Sequence, residues 1–556
     1  MRKAGFWKSD WFLGVAVSLV LLMLAQTPAV QSLERAAYDI GVRMSDRQPS
    51  DRIAVIAIDE VSIANLGRWP WSRELHARMT ELLAQAQAKV IVNTVFFTEP
   101  QRDPGYDYVL RLIDLYVRGA APAGEGLAAP TLPPSISAMG AVLQEAESTL
   151  NTDRQLAAAI QSAARVQLPM LFELGESLGR PDPLPEAIQR NRLVNVGGDG
   201  FAWPAVQALP PIPEFSAGAA GIGHLNSVPD VDGGTRSEAL VVRYFDQYYP
   251  ALSLLAAAKS LNLDAGDIQV VLGEEVRVGN LRIPTDGATQ MLTHFYADRD
   301  GRSAFVADSF YDVLSGRIPA SKYRDKIVLI GSTAAGLGNA QVTPVSPVMA
   351  PVTTMAHTVS SILREHFFVN PLWAGFVTHG SALLVALYLI ILLPRLSAAL
   401  AAATTGGLLV LLLGAHFGLM VGASLWIPLM STAMLLTVGH LLLTTKRFLV
   451  TERGKEQSEA VSAESNRMLA LAFQGQGQLD MAWDKFRQVP MSDSLLENLY
   501  NLALDFERKR QFNKAEAVFA HMAAYRLDFK DLAQRMARAK QLSETVMLGG
   551  GGSHPG

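Results

Sequence analysis

From Leu372 to Leu443 the only charged side chain is Arg395, and from Trp11 to Val30 there is none. An apolar stretch of about 20 residues, rising about 1.5 Å per residue as a helix, crosses a hydrocarbon core of roughly 30 Å. Inside that core the backbone must satisfy its own hydrogen bonds, so helices are the form such segments take. The long block divides at Pro394-Arg395 and at the uncharged turn from Gly422 to Trp426. The expectation is a multidomain membrane protein with transmembrane helices at 11–30, 372–393, 397–420 and 425–443.

Basic residues set the orientation. Arg2, Lys3 and Lys8 outweigh Asp10 ahead of the first segment, Arg395 falls between the second and third, and Lys446, Arg447, Arg453 and Lys455 follow the fourth. By the positive-inside rule, residues 1–10 and everything from 444 onward lie in the cytoplasm of a bacterial inner membrane, with 31–371 in the periplasm. A cleaved signal peptide is the rival reading of 11–30. No clean A-x-A site follows the run, and Trp7 and Trp11 read as interfacial anchors, which favours a retained signal anchor.

A net charge of −4 without a basic block gives no footprint for nucleic acid, and the absence of cysteine excludes disulfides, thiolate catalysis and cysteine-based zinc sites. His357 with Glu365-His366 does not make a zinc spacing. His357 reads as a core residue of a helix. No catalytic residue, metal or cofactor is expected.

The outer segment reads as α/β. RIAVIAIDE is an apolar strand ending in Asp59 and Glu60, SRELHARMTELLAQAQA has helical spacing, and KVIVNTVFF is a second strand. Unbroken apolar strands point to a sheet covered by helices on both faces. KIVLIGSTAAGLG, residues 326–338, supplies another strand and a turn with glycines at 331, 336 and 338. It begins as a phosphate-binding loop does but has Leu337 and Gly338 where lysine and a hydroxyl belong. The better reading is a tight turn that lets a helix pack close to its strand. SEALVVRYFDQYYPALSLLAAAKSL reads as a hairpin leading into a helix, and the Ala/Gly/Pro-rich run 119–140 as a surface insertion or mobile loop.

LERAAYDIGVRMSDRQPSDRIAVIAIDE, GRWPWSRELHA, TEPQRDPG, GHLNSVPDVDGGTR, KIVLIGSTAAGLG and AHTVSSILREHF, followed by three membrane helices, form an ordered series. Over about residues 30–445 it resembles the CHASE type 2 extracellular sensor family of bacterial receptors. The resemblance implies a periplasmic sensor domain that precedes three membrane helices and drives a cytoplasmic output such as a cyclase, a histidine kinase or a serine/threonine kinase. It brings no ligand and no binding residues with it. NTVFF departs from the family's usual strand end, which commonly carries an aspartate.

Candidate ligand contacts come from local chemistry. Asp59 and Glu60 stand at the carboxyl end of a presumed parallel strand, where open α/β sheets bind ligands, or they serve as buried caps. Asp230 and Asp232 in PDVDGG resemble the start of a calcium loop, but Val241 stands where the closing acid is needed, which favours a β-turn. Arg68, Trp69 and Trp71 of RWPW either present an aromatic face to a ligand or pack a helix entry capped by Ser72. Each later membrane helix carries one histidine: His379 and His416, roughly 8 to 10 Å below the outer surface and able to pair, and His440 near the inner face. Protonation of the first two would tune helix packing; neutral histidines hydrogen-bonded between helices are the alternative.

Inside, 444–465 is polar, charged and free of proline, a helical connector. Leu469, Phe473, Ala482 and Phe486 recur as Leu502, Phe506, Ala515 and Phe519, each 33 positions later, so 466–543 resembles tetratricopeptide repeats that bind a partner protein. A helical spacer or dimer contact explains it as well. The glycine-rich tail, 544–556, is a linker composition, and the expectation is a receptor portion whose output, a serine/threonine kinase above all, lies elsewhere. The partners expected are an unknown extracytoplasmic ligand or protein, a cytoplasmic protein held by the repeats, membrane lipid, and a second copy in a homodimer. The contrasting function is a membrane-anchored scaffold that recruits a partner without sensing.

Overall fold

The computed structural model describes residues 10–101, 104–120, 134–176, 179–180, 182–299 and 302–549. Arg2, Lys3 and Lys8 and most of the glycine-rich tail lie outside the described residues, as does 121–133 of the Ala/Gly/Pro-rich run. The chain forms two compact units, Met1–His440 and Leu441–Gly556.

The first unit is built on a mixed sheet with nine strands among the described residues, in the order Ala307–Ser309, Ile53–Ile58, Ile327–Ser332, Val90–Asn93, Val166–Leu174, Trp203–Leu209, Val241–Tyr244 and Gln247–Pro250. Gly221–His224 pairs in parallel with the first half of Val166–Leu174, and the strands from Ala307–Ser309 to Val166–Leu174 are parallel to one another. Every residue of Ile53–Ile58 and of Val90–Asn93 is buried because helices cover both faces. On one side Met79, Leu83 and Ile160 of the helices Arg73–Gln85 and Thr152–Ala163 meet the sheet. On the other side stand Leu252, Val352 and Val359 of the helices Leu252–Ser260 and Pro351–Arg364. Gly331 makes the second face possible. A Cβ there would fall 2.4 Å from Thr94 Oγ1 and 2.7 Å from Val352 Cβ, so only glycine lets the helix approach its strand this closely.

Three expectations change. The strand read as KVIVNTVFF stops at Asn93, whose side-chain oxygen accepts the Val95 amide (3.1 Å) and turns the chain out of the ladder. The run read as a loop over 119–140 enters a helix, Pro134–Leu150, which pairs with Pro104–Ala120 through Tyr106 and Glu147. The segment expected as one helix over 11–30 breaks: Asp10–Leu24 is followed by Pro28–Met44, bent from it by 72°. Pro28 has no N–H to give and its ring excludes the preceding turn's carbonyl, so it starts a new helix. The hairpin Val241–Tyr244 with Gln247–Pro250, leading into Leu252–Ser260, is as read.

Among the described residues three helices are long and apolar enough to cross a membrane, Ala374–Arg395, Ala398–Ala423 and Met430–Gly475; the bent pair meets the same criterion only when taken together. The helix Met430–Gly475 runs without a break through the segment read as a connector.

The second unit is helical, with Leu479–Phe486, Asp493–Arg508, Phe512–Ala523 and Leu532–Gly549 following the end of Met430–Gly475. Ala482, Phe486, Leu502, Phe506, Ala515 and Phe519 are fully buried, and Phe473 packs against them, but Leu469 is exposed where its counterpart Leu502 is not. The turns after the two corresponding helices close alike, by Gln478 N–H to Phe473 O and by Gln511 N–H to Phe506 O, both 2.9 Å. Both require a left-handed residue. Gly477 fills it in the first (φ 76°) and Arg510 in the second (φ 57°). Arg510→Gly is therefore expected to stabilise this unit by about 0.5–1 kcal/mol, read as a raised denaturation midpoint. A lowered midpoint would show that the Arg510 side chain holds the turn.

Candidate functional site

At the carboxyl ends of the parallel strands the chain leaves the sheet in several directions, and these departures enclose a cavity of about 890 Å³. Thr94 follows the strand Val90–Asn93, Leu225 and Asn226 follow Gly221–His224, and Ser332 ends Ile327–Ser332. Trp69, Pro70 and Phe96 line one side, the segment from Leu337 to Val342 another, and Val352, Thr354 and Met355 of the helix Pro351–Arg364 a third. This is the crevice where open parallel sheets bind ligands.

Local geometry holds the walls. Asn226 acts as a strand mimic, accepting the Phe172 amide (3.0 Å) and donating to the Phe172 carbonyl (2.6 Å). His224 accepts the Asn226 amide (3.4 Å) and is kept neutral by burial, which pushes its pKa down to about 3. Behind Trp69, His76 is likewise lowered to about 3 by burial and then by the Arg73 charge, and it packs against Trp69, Trp71, Phe97 and Phe310.

Several polar atoms in the wall are unused. Ser332 Oγ, Gln341 Oε1 and Thr354 Oγ1 have no hydrogen-bond partner among the described residues, and Thr354 is only 5% exposed. Glu238, on the strand Ser237–Ala239, also lines the cavity. Its one hydrogen bond comes from Ser253 Oγ (2.9 Å), and burial pushes its carboxyl up to about 7 against that bond. The residue is half-buried in the lining.

The cavity wall is tied through the helix Pro28–Met44 to the long apolar helix Met430–Gly475. The Thr235 amide donates to the Val342 carbonyl (2.7 Å), and the next residue, Arg236, holds Asp39 in a fork, Nε to Oδ1 (2.7 Å) and Nη2 to Oδ2 (2.8 Å). Arg236 also reaches Asp230 (2.9 Å) and Asp232 (2.8 and 3.0 Å). Burial opposes the Arg236 charge, but the bonds to Asp39 and Asp232 outweigh it and push its pKa up. Asp39 lies on Pro28–Met44, and on the same helix Glu34 Oε2 accepts the Met430 amide (2.8 Å) at the start of Met430–Gly475. Tyr38, between them, is fully buried against Phe368 and Trp426.

Of the candidate ligand contacts named from sequence, Trp69 alone lines the cavity, which also takes in Leu337 and Gly338 of the glycine turn. Asp59 caps the helix Glu60–Leu66, accepting from the Ser62 amide (2.8 Å) and the Ser309 hydroxyl (2.9 Å), and Glu60 accepts the Ala335 amide (3.0 Å). Trp71 is core, its Nε1–H donating to Gly67 O (2.8 Å), and Arg68 is exposed. Asp230 and Asp232 form a turn closed by the Gly233 amide on Asp230 O (2.8 Å) and clamp Arg236.

The histidines do not come together as a pair. His379 donates to Gly375 O of its own helix (2.6 Å), His416 to Ile427 O (3.0 Å) with Glu34 3.7 Å away, and His440 shares a hydrogen bond with Thr405 (2.8 Å). Sequence reasoning missed Glu34, Asp39, Arg236 and Glu238. The spacing of Glu34, Tyr38 and Val42 marks a buried face, and Glu238 stands out as an acid beside the apolar run ALVV, so a signal existed for both.

The profile of the CHASE2 domain matches residues 15–393. No curated protein and no solved structure matches the chain.

Proposed function

The chain belongs to the CHASE2 domain family, a family of sensor domains, and on that premise we propose that it is a transmembrane signal receptor whose cavity takes the stimulus. The observation that carries this reading is the continuous tie from cavity wall to membrane helix: Val342 to Thr235, Arg236 to Asp39, and Glu34 to the first turn of Met430–Gly475. A ligand that binds two arrangements of the wall unequally would shift the helix Pro28–Met44, and with it the cap on Met430. In this reading the bent pair completes a fourth crossing, the sensor domain is periplasmic, both termini are cytoplasmic, and a homodimer passes the change to a serine/threonine kinase output. The helical unit from Leu441 onward, with its tetratricopeptide-like spacing, receives that output or a partner.

The absence of cysteine makes the sidedness directly testable. A single cysteine at exposed Glu99 is expected to react with a membrane-impermeant maleimide on intact spheroplasts, and one at exposed Tyr525 only after lysis. The reverse pattern would sink the receptor reading. Transmission is read by amide exchange: Arg236→Met should speed exchange in the first turn of Met430–Gly475 by about tenfold or more. Unchanged exchange there would favour a plain membrane anchor that recruits a partner without sensing.

A further inference from the structure

The proposed sensing cavity contains an acid with no ionic partner among the described residues. Among the described residues no lysine, arginine or histidine stands within ion-pair distance of Glu238, whose one donor is the Ser253 hydroxyl. The cavity's own cation is engaged elsewhere: Arg73 lies 3.4 Å from Asp153, donates to Glu99 O (3.3 Å) and stacks its guanidinium on Phe97 at 4.5 Å. Asp39, Asp230 and Asp232 pair with Arg236 and Asp308 with Lys322, while Glu99, also in the lining, is exposed to solvent. A carboxylate held inside protein without a counter-charge is costly, and the usual remedies are a paired cation or a proton.

The rest of the lining has the same bias. Gln341 Oε1 is an unpaired acceptor, and the unpaired hydroxyls of Ser332 and Thr354 can accept as well. Around these groups the wall is apolar or aromatic, with Trp69 and Phe96 on one side and Leu225, Val352 and Met355 on others. The geometry points to an organic ammonium compound as the ligand: a positively charged amine donating to Glu238 and to the unpaired acceptors, with an apolar or aromatic body against the wall. A primary amine brings the positive charge that Glu238 lacks together with three N–H donors for acceptors in the same lining, and an aromatic face beside a cation adds further attraction. A carboxylate ligand would meet Glu238 with like charge, and a neutral alcohol would leave that charge uncompensated.

This inference rests on the cavity being the sensing site, but its test needs no signalling readout. The full chain in lipid nanodiscs is titrated calorimetrically with 2-phenylethylamine and tryptamine, and with the alcohol and the carboxylate of each carbon skeleton. The amines are expected to bind at least tenfold more tightly than their alcohols, and the carboxylates not measurably. Glu238→Gln keeps the shape and the Ser253 contact and should erase the preference for amine over alcohol. Thr354→Val, which leaves the charge in place, should weaken both amines by a few-fold while keeping their preference over the alcohols. Amines binding no better than alcohols to the unaltered chain, or a preference that survives in Glu238→Gln, would overturn the inference. Tight amine binding that leaves amide exchange at Met430–Gly475 unmoved would instead sink the receptor reading and leave this one standing.

Discussion

Replacing Arg236 with methionine is expected to destabilise the first unit by about 3 kcal/mol, measured by chemical denaturation of the solubilised chain. The side chain is only 7% exposed, and its guanidinium makes five hydrogen bonds to three carboxylates, those of Asp39, Asp230 and Asp232. Methionine fills a similar volume, so most of the effect comes from leaving three carboxylates facing one another without a cation. Arg35, 3.5 Å from Asp230, offsets only part of it. Adding Asp39→Asn to the same chain should recover a measurable fraction, because contacting residues are not additive. A loss below about 0.5 kcal/mol would mean the cluster is solvated and couples nothing.

Glu238→Gln is expected to act in the opposite direction. Unfolded, this carboxyl titrates near 4.5; folded, burial raises it to about 7. The native state therefore binds more protons between those values, so the acid's favourable contribution is fully present below about pH 4.5 and is lost as pH rises through 7. Above pH 7 the unaltered chain carries a desolvated charge that glutamine lacks. The substitution should raise stability at pH 8 by about 2 kcal/mol, less than the full shift would give because the residue is only half-buried, and should do little at pH 4.5. Equal stability of the two chains at both pH values would remove the argument that Glu238 is strained in the folded state. A residue that lowers stability where it stands is the pattern expected of a binding site rather than of a core.

Three strands of the sheet were legible because they are runs made almost wholly of Ile, Val, Leu and Ala. Such runs fold as strands buried on both faces almost wherever they occur, and Ile53–Ile58, Val90–Asn93 and Ile327–Ser332 do so side by side. The helical character of 441–549 followed from repeated apolar positions, although the exposure of Leu469 shows that spacing alone does not say which repeat position faces the core. The end of the second strand was misread because Asn93 competes through its side chain, a local bond that apolar patterning does not register. The candidate site was hardly legible. Asp59 and Glu60 have the right place on a strand but spend their oxygens on local amides and hydroxyls, whereas the cavity is assembled from segments more than two hundred residues apart, such as Trp69 and Thr354.

Hydrophobic run length and strand patterning are properties of consecutive residues, and these by themselves determined that the chain has apolar membrane-length segments, an α/β front domain and a helical end. Which acids are paired is a property of the surroundings. Asp230, Asp232 and Glu238 lie within nine positions of one another. Only the packed structure decides that the first two meet Arg236 while the third lines a cavity with no ion-pair partner among the described residues, because burial and partners come from residues brought together by the fold.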